Sequence, residues 1–281
     1  QRVLITAANE DGYRLALDLL QAGVQVLAIA DLRETVPASA LVNAVREHGI
    51  KCLPGSGVYE AHADGRGELG AVTICRVRNG IADTATAIRF ECDGLAMSTG
   101  WAPAANLLYQ SGAKMRFDER SQQFVPANLP EGVYACGRVN GVYGFDARIA
   151  DGARAGTSAA ASALNLPLSI PAAPADDSMP SYSWPVVEHP QGKNFVDFDE
   201  DLQLKDFANA VQEGYDNIEL LKRYSTVGMG PSQGKHSNMT ALRILARLLG
   251  KSPEQVGTTT ARPFFHPVPM SHLAGRGFHP Q

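Results

Sequence analysis

Carboxylates and hydroxyls that could ligate a metal are concentrated in two segments toward the carboxyl end of the sequence. Residues Val196–Asp201 read VDFDED, and Gly228–Asn238 read GMGPSQGKHSN, a glycine-rich loop that runs into an apolar helix. Oxygen ligands of this kind, joined by His236, suit a hard cation. The sequence shows no six-oxygen cage with the geometry of a cation loop, so a solvated turn is the simpler interpretation. We assign no metal site.

A second candidate is the loop GTTTARPFFHPV, residues 257–268. Its hydroxyls and guanidinium can donate hydrogen bonds to a phosphate or a carboxylate. The donors are Thr258, Thr259, Thr260 and Arg262. A plain surface salt bridge of Arg262 is the alternative, and the sequence leaves both open.

The sequence predicts no catalytic residues in this chain. It contains no Ser/His/Asp set, no Cys/His pair and no C-x-x-C spacing. Each cysteine lies in an apolar run, which predicts a buried thiol rather than a ligand or a disulfide. These residues are Cys52, Cys75, Cys92 and Cys136. Their scatter indicates a reducing compartment.

Composition narrows the range of partners. The chain has 281 residues, a formal net charge of −4 and no concentration of lysine or arginine. Nucleic acid and anionic membranes are therefore not expected as partners. The sequence has no apolar run long enough to span a membrane and no signal pattern, so we expect a cytoplasmic protein.

The first elements predict a βαβ unit. Arg2–Thr6 is an apolar strand, a helix carries Tyr13, Leu17 and Leu20 on one face, and a second apolar strand ends at Asp31. The crossover should be right-handed, with the ligand edge at the carboxyl ends of the strands. Asp31 is placed either to bind a ribose hydroxyl pair or to stabilise a turn.

The turn after the first strand, TAANEDGY, lacks the glycine fingerprint of a dinucleotide site. Glu10 and Asp11 would repel a phosphate there, so this turn predicts no functional dinucleotide site. A second helix, SALVNAVREHG, follows. The segments IKCLPGSGVYEAHAD, AVTICRVRNG and TATAIRFECDGLAMSTGWAP then predict an antiparallel meander.

The last part of the chain predicts a small helical module. Residues 167–192 hold six prolines and are expected to form an extended linker. Helices are predicted over Lys205–Glu213, after Asp216 and over SNMTALRILARLLG, residues 237–250, the last with Ser237 as its cap. Ser252 should cap a fourth helix.

Two segments resemble glutathione-reductase-type flavoproteins. CDGLAMSTGWAPAANLL looks like the strand that leaves the pyridine-nucleotide domain of that family. EGVYACGRVNGVYGFDARIADGARAGTSAAASAL resembles the closing segment of its flavin-type domain. In the family an aspartate follows the glycine and bonds the flavin ribityl chain. Here Arg138 follows Gly137, which suits a phosphate or a different dinucleotide better than FAD.

The helical module resembles the [2Fe–2S] domain of bacterioferritin-associated ferredoxin. The resemblance places the four ligand positions at Asp197, Asp199, Ser232 and Ser237. Carboxylates and neutral hydroxyls do not hold such a cluster, so we expect no iron–sulfur cluster.

Together these motifs resemble the large (alpha) subunits of heterotetrameric sarcosine oxidases. The resemblance covers nearly the whole sequence but only the middle of such a subunit, without its amino-terminal glycine fingerprint and its carboxyl-terminal folate domain. It implies an α/β fold: a glutathione-reductase-like pyridine-nucleotide domain, the end of a flavin-type dinucleotide domain and a helical ferredoxin-like module without a cluster. The implied ranges are 1–92, 93–166, 167–192 (linker), 193–257 (helical module) and 258–281 (interface loop and tail).

The resemblance also implies a function. Such complexes demethylate sarcosine oxidatively to glycine, forming H₂O₂ and 5,10-methylenetetrahydrofolate. FAD lies in the beta subunit, FMN at the alpha–beta interface, and gamma and delta subunits complete the complex. The alpha subunit holds a NAD without redox duty. In this sequence the implied cofactor-binding residues are Gly137, Arg138, Asn140, Tyr143 and Phe145 for NAD, and Thr258, Thr259, Thr260 and Arg262 toward FMN.

Two alternatives remain open. One is the alpha subunit of an opine, proline or cyanide-forming dehydrogenase, which shares the layout but keeps the cluster cysteines. The other is a non-catalytic scaffold fragment that serves assembly only.

Overall fold

The computed structural model describes residues 1–36, 38–167, 178, 180–263 and 266–275. The chain divides into two compact units, each assembled from separate stretches of sequence. The first unit comprises 1–101, 118–123 and the described part of 175–194; the second comprises 102–117, 124–174 and 195–281. The domain ranges expected from the sequence are contiguous, whereas both units are discontinuous.

The first unit contains a parallel sheet and a separate antiparallel meander. Its elements are β1 (Arg2–Ala7), α1 (Asp11–Gln21), β2 (Gln25–Asp31), α2 (Ala40–Glu47), β3 (Lys51–Pro54), β4 (Ser56–Ala63), β5 (Leu69–Arg78), β6 (Ile81–Glu91) and β7 (Gly94–Ser98). The parallel sheet has the strand order β3-β2-β1-β7. Strands β1 and β2 are parallel neighbours, and helix α1 connects them, which confirms the predicted βαβ unit.

The central strands are buried on both faces, which is why they are continuously apolar. Leu4, Ile5 and Ile29 are fully inaccessible to solvent. Ile5 and Ile29 share a cluster with Tyr13 of α1, whereas Leu4 packs in a second cluster with Val72 of the meander. Gly12 allows α1 to approach the sheet, because a Cβ at this position would lie 2.6 Å from Cβ of Ala7.

The predicted meander is confirmed only for its middle strands. Strands β4, β5 and β6 form a three-stranded antiparallel sheet. Strands β3 and β7, which the sequence pattern assigned to the meander, instead pair in parallel with β2 and β1. A short apolar run carries no information on the direction of its partner, so local pattern alone does not distinguish these cases.

The described end of the proline-rich segment belongs to the first unit and is hydrogen-bonded to loops at the ends of its strands. We call residues 180–188 the strap. The Tyr182 N–H donates to the carbonyl of Ala8 (2.7 Å), and the Glu188 N–H donates to that of Gly80 (3.0 Å). Residues 168–177 and 179 of the predicted linker lie outside the described residues.

From residue 106 onward, helices predominate. The elements are α3 (Asn106–Ser111), β8 (Lys114–Asp118), β9 (Gln123–Asn128), a 3-10 turn (Gly137–Asn140), α4 (Phe145–Ala163), β10 (Phe195–Asp197), β11 (Leu202–Gln203), α5 (Leu204–Gln212), α6 (Ile218–Ser225), α7 (Asn238–Leu249), α8 (Pro253–Val256) and α9 (Met270–Leu273). None of the helices in the described ranges is long and apolar enough to cross a membrane.

The four predicted helices of the carboxyl-terminal module are present as α5 to α8. Phe207, Leu221 and Leu245, one from each of the first three, are fully buried. Ser252 caps α8 in a reciprocal capping box, as predicted. Ser237 does not cap α7 through its side chain, because its backbone is already helical, and α6 is capped by Asn217.

Candidate functional site

Asp31 is saturated by partners within the chain. Its carboxylate accepts hydrogen bonds from the Tyr13 hydroxyl (2.9 Å) and from the backbone N–H (2.9 Å), Nε (3.0 Å) and Nη2 (2.7 Å) of Arg33. Burial and the Asp31 charge raise the pKa of Tyr13. Burial alone would lower the pKa of Arg33, but bonding to Asp31 outweighs it and raises that pKa. Of the two interpretations, the turn is confirmed and ribose binding is wrong.

The carboxyl edge of this sheet, where open α/β sheets bind ligands, is covered by the strap. Arg33 Nη1 donates to the carbonyl of Pro180 (3.2 Å). Tyr182 and Val187 pack against the buried cluster of Ala8, Leu32 and Val77. The chain's own backbone therefore lies over the ends of β1 and β2.

The amino terminus of α1 is likewise occupied by side chains of the chain itself. The Asp11 N–H donates to Oδ1 of Asn9 (3.1 Å), and Trp101 Nε1 donates to Oδ2 of Asp11 (2.8 Å). The Ser98 hydroxyl donates to the same Asn9 oxygen (2.6 Å). An acidic side chain thus lies where a dinucleotide turn would hold a phosphate.

The second unit contains an open cleft of about 360 Å³. That volume is at the small end of the range for ligand pockets. Its lining combines apolar walls with a few polar groups. The lining residues are Pro126, Ala127, Asn128, Leu129, Tyr134, Ala135, Asn140, Arg154 and Ala155.

Asp151, in helix α4, organises the wall of this cleft from beneath. It is fully buried, and its Oδ2 accepts hydrogen bonds from the Gly137 N–H (2.8 Å) and from Nδ2 of Asn140 (3.2 Å). Its Oδ1 accepts from Nε of Arg154 (2.8 Å) and forms an ion pair with Nη2 (2.7 Å). One carboxylate therefore ties the 3-10 turn to helix α4.

The residues predicted to hold a dinucleotide are only partly brought together. Gly137 and Asn140 meet at Asp151. The Arg138 guanidinium lies 5.3 Å from the ring centroid of Tyr143, a cation–π pair that does not belong to the cleft lining as the structure describes it. Phe145 is 62% exposed and is stacked by Arg148.

The threonines of the loop that was predicted to face the flavin make long contacts, of 3.3 to 3.5 Å, with residues of nearby helices. Thr258 Oγ1 lies 3.4 Å from the hydroxyl of Tyr109, and the Thr260 N–H donates to Glu219 (3.3 Å). Thr259 Oγ1 lies 3.5 Å from Nδ2 of Asn238. Arg262 is exposed and has no ion pair among the described residues. Phe264 and Phe265 lie outside the described residues.

Of the four positions that the resemblance matched to cluster ligands, Asp197, Asp199 and Ser232 make hydrogen bonds with one another or with nearby backbone groups. Asp197, which is 2% exposed, accepts the N–H groups of Asp199 (2.9 Å) and Gly228 (2.8 Å). Asp199 accepts the N–H of Ser232 (2.8 Å), and the Ser232 hydroxyl and N–H lower the pKa of Asp199. The Ser237 hydroxyl is buried without a partner. Within the described ranges no group of histidine, cysteine and acidic residues is arranged to hold a metal.

The prediction that the cysteines are buried is confirmed for two of the four. Cys75 and Cys92 are buried, Cys52 is half-buried, and burial raises the pKa of each thiol. Cys136 is exposed, so the prediction of a buried thiol there is wrong. It immediately precedes the 3-10 turn, where the chain leaves its apolar run.

Sequence reasoning missed Asp151 and Arg154. They lie within an alanine- and glycine-rich helix, three residues apart on one face, but nothing local shows that the face meets the Gly137 turn. The available signal was the i, i+3 acid–base pair itself, which usually marks only a solvated helix face.

Comparisons with known proteins give a consistent relationship. Residues 191–276 match the family model described as "Sarcosine oxidase A3 domain". The chain is 31% identical to "Sarcosine oxidase subunit alpha" of Corynebacterium sp. (strain P-1), over 98% of this chain and 29% of that subunit. It is 34% identical to the subunit of the same name from Rhizobium meliloti (strain 1021), over 96% of this chain and 26% of that subunit.

Among solved structures, the chain resembles L-proline dehydrogenase from P. horikoshii. The TM-score is 0.65 at 16% identity, and the match covers 97% of this chain and 50% of that one. This likeness establishes the mixed α/β fold alone. The sequence identities make the chain similar to sarcosine oxidase alpha subunits, of which it spans 26–29% of the length.

Proposed function

We propose that this chain is part of the alpha subunit of a sarcosine oxidase, an oxidoreductase complex that demethylates sarcosine oxidatively to glycine. The observation that carries the proposal is identity of 31–34% to named alpha subunits over 96–98% of the chain. In such a complex the chain's partners are beta, gamma and delta subunits. The products are H₂O₂ and 5,10-methylenetetrahydrofolate.

Within the complex we assign this segment a binding role. The second unit would hold NAD without redox duty at the turn that begins with Gly137. Two features support this: Gly137 and Asn140 converge on buried Asp151, and a cleft opens beside Asn140. The amide and guanidinium donors of that cleft fit a phosphate-bearing ligand.

The loop Thr258–Arg262 would face the FMN at the subunit interface. Arg262 supports this role because it is exposed and has no ion pair among the described residues. A free guanidinium can pair with a flavin phosphate. When bound, the flavins supply the hydride and oxygen chemistry; this chain contributes donors that position them. FAD is assigned to the beta subunit.

An iron–sulfur cluster does not fit the residues present. Carboxylates and hydroxyls stand at all four ligand positions, and Asp197 already accepts two backbone N–H groups. We therefore derive no electron transfer through this module, and a cluster-bearing dehydrogenase is the weaker alternative.

The test is to produce the complete polypeptide that carries this sequence together with its neighbouring subunits. Purified complex should form H₂O₂ in a sarcosine-dependent reaction and contain flavin but no stoichiometric iron or acid-labile sulfide. A complex that oxidises sarcosine only with an artificial acceptor, or that contains iron and sulfide, would contradict the proposal.

A further inference from the structure

Arg154 presents part of its guanidinium to the cleft while the rest is fixed. Its Nε and Nη2 are engaged by Asp151, and Nη2 also donates to the carbonyl of Ala135 (3.3 Å). Nη1 donates no hydrogen bond within the described part of the chain, and the side chain is 18% exposed at the cleft wall. One edge of the planar fork is therefore anchored and the other is available.

The other polar groups of the cleft are neutral. Asn128, Tyr134 and Asn140 line it, and no carboxylate belongs to the lining as the structure describes it, because Asp151 lies fully buried beneath. An anion entering the cleft would meet the guanidinium edge and neutral donors. The apolar wall of Pro126, Leu129 and Ala155 suits a flat or sugar-like group beside that anion.

Anchoring by Asp151 has a physical consequence for binding. A free arginine loses conformational entropy when it grips a ligand, whereas Arg154 is already held in one orientation. Asp151 also offsets part of the cost of holding a guanidinium in a partly buried wall. The pair thus leaves the two N–H groups of Nη1 on a guanidinium whose orientation is already fixed.

We propose that Arg154 is the phosphate-contacting residue of this cleft and that Asp151 is its positioning residue. The ligand class is a nucleotide phosphate, taken here as the phosphate of the dinucleotide, so the inference rests on the proposed function. Arg154 thus replaces Arg138, which stacks on Tyr143, as the principal cation of the site.

The test is a calorimetric titration of the complete polypeptide, in its subunit complex, with NAD⁺. Arg154→Met should weaken binding roughly ten- to a hundredfold, the value of one hydrogen bond to a charged group. Asp151→Asn should weaken it too, but should have no further effect when combined with Arg154→Met, because the two act as a unit. Arg223→Met removes an exposed arginine of α6 as a charge-matched control and should leave affinity unchanged.

Thermal unfolding of each variant separates loss of affinity from loss of fold. Arg154→Met leaves the buried Asp151 without its cation and should unfold at a lower temperature than the parent, so the titrations are made well below that temperature. Parent-like affinity in Arg154→Met, or an additive effect of Asp151→Asn in its background, would overturn the inference alone. A parent complex that binds no NAD⁺ would overturn the proposed dinucleotide role, and this inference with it.

Discussion

Buried aspartates in this chain stabilise turns rather than bind ligands directly. Asp31, Asp151 and Asp197 are each at most 2% exposed, and each accepts hydrogen bonds from at least one backbone N–H. A buried carboxylate is tolerated only when it is satisfied in this way. From sequence alone, an aspartate at a strand end or in a loop is as consistent with ligand binding as with stabilising a turn. The sequence therefore did not show that Asp31 bonds Arg33 rather than a ribose.

The Asp31–Arg33 pair gives the first residue-level prediction. Arg33→Met leaves a fully buried carboxylate without its cation, so the first unit should lose about 3–5 kcal/mol of unfolding free energy. Urea unfolding of the complete polypeptide measures this. Arg89→Met, which breaks the exposed pair with Glu91, is the control and should cause no resolvable change. If the two variants lost the same unfolding free energy, burial of the Asp31–Arg33 pair would not be the cause of the loss.

Asp199 gives a pH-dependent prediction. A carboxyl whose pKa is lower in the folded than in the unfolded chain stabilises the fold above its unfolded pKa, and this contribution disappears as pH falls through the folded pKa. Bonding to Ser232 lowers the pKa of Asp199 below its ordinary 3.8. Asp199→Asn should therefore lower the midpoint of urea unfolding at about pH 7. The difference in midpoint between this variant and the parent should shrink as the pH falls toward about 3.

The matched control for Asp199 is Asp201→Asn in the same acidic segment. Asp201 is exposed and has no hydrogen bond or ion pair among the described residues, so its amide variant should follow the parent at every pH. A difference between Asp199→Asn and parent that does not change with pH would show that the charge of Asp199 is not responsible.

At the scale of elements, sequence pattern predicted most helices and strands but not how the strands pair. Strands β1 and β2 and helices α5 to α8 carry strong periodicity or caps, and each is present. Strands β3 and β7 are short, and their parallel partners are distant in sequence, so pairing depends on tertiary packing. The role of Asp151 could not be predicted for the same reason, since its partner Gly137 is 14 residues away on another element.

The strap gives an element-level prediction. Gly80 closes the turn between β5 and β6 with φ of +82°, and a Cβ there would lie 2.5 Å from Nε1 of Trp184 and 2.8 Å from the carbonyl of Val186. Gly80→Ala should therefore displace the strap as well as strain the turn. We expect a loss of roughly 1–3 kcal/mol beyond the backbone strain, and faster proteolysis within residues 180–188.

Gly67→Ala is the control for the strap experiment. Gly67 lies in the turn between β4 and β5 at φ of +83°, but a Cβ there meets nothing within 4 Å. It carries the same backbone strain, about 1 kcal/mol, without the contact with the strap. Limited proteolysis followed by mass spectrometry should show strap cleavage in Gly80→Ala only; cleavage in both variants would assign the effect to the turn.

At the scale of the whole molecule, the two units differ in the surfaces that they offer to a ligand. In the first unit the strap covers the carboxyl ends of β1 and β2, and Asp11 stands at the helix terminus. In the second unit a cleft remains open beside Arg154. The chain itself thus occupies the sheet edge of the first unit, whereas the cleft of the second unit is lined by a partly exposed arginine.

This contrast predicts the stoichiometry of binding. If the proposed function holds, calorimetry of the complete polypeptide should find one NAD⁺ per chain rather than two, because the strap occupies the edge of the first unit. Arg154→Met should reduce that single binding event, whereas Gly80→Ala, which loosens the strap, should leave the affinity of the second unit unchanged. Two equivalents in the parent protein would contradict this division of roles, whereas one equivalent insensitive to Arg154→Met would overturn only the role assigned to Arg154.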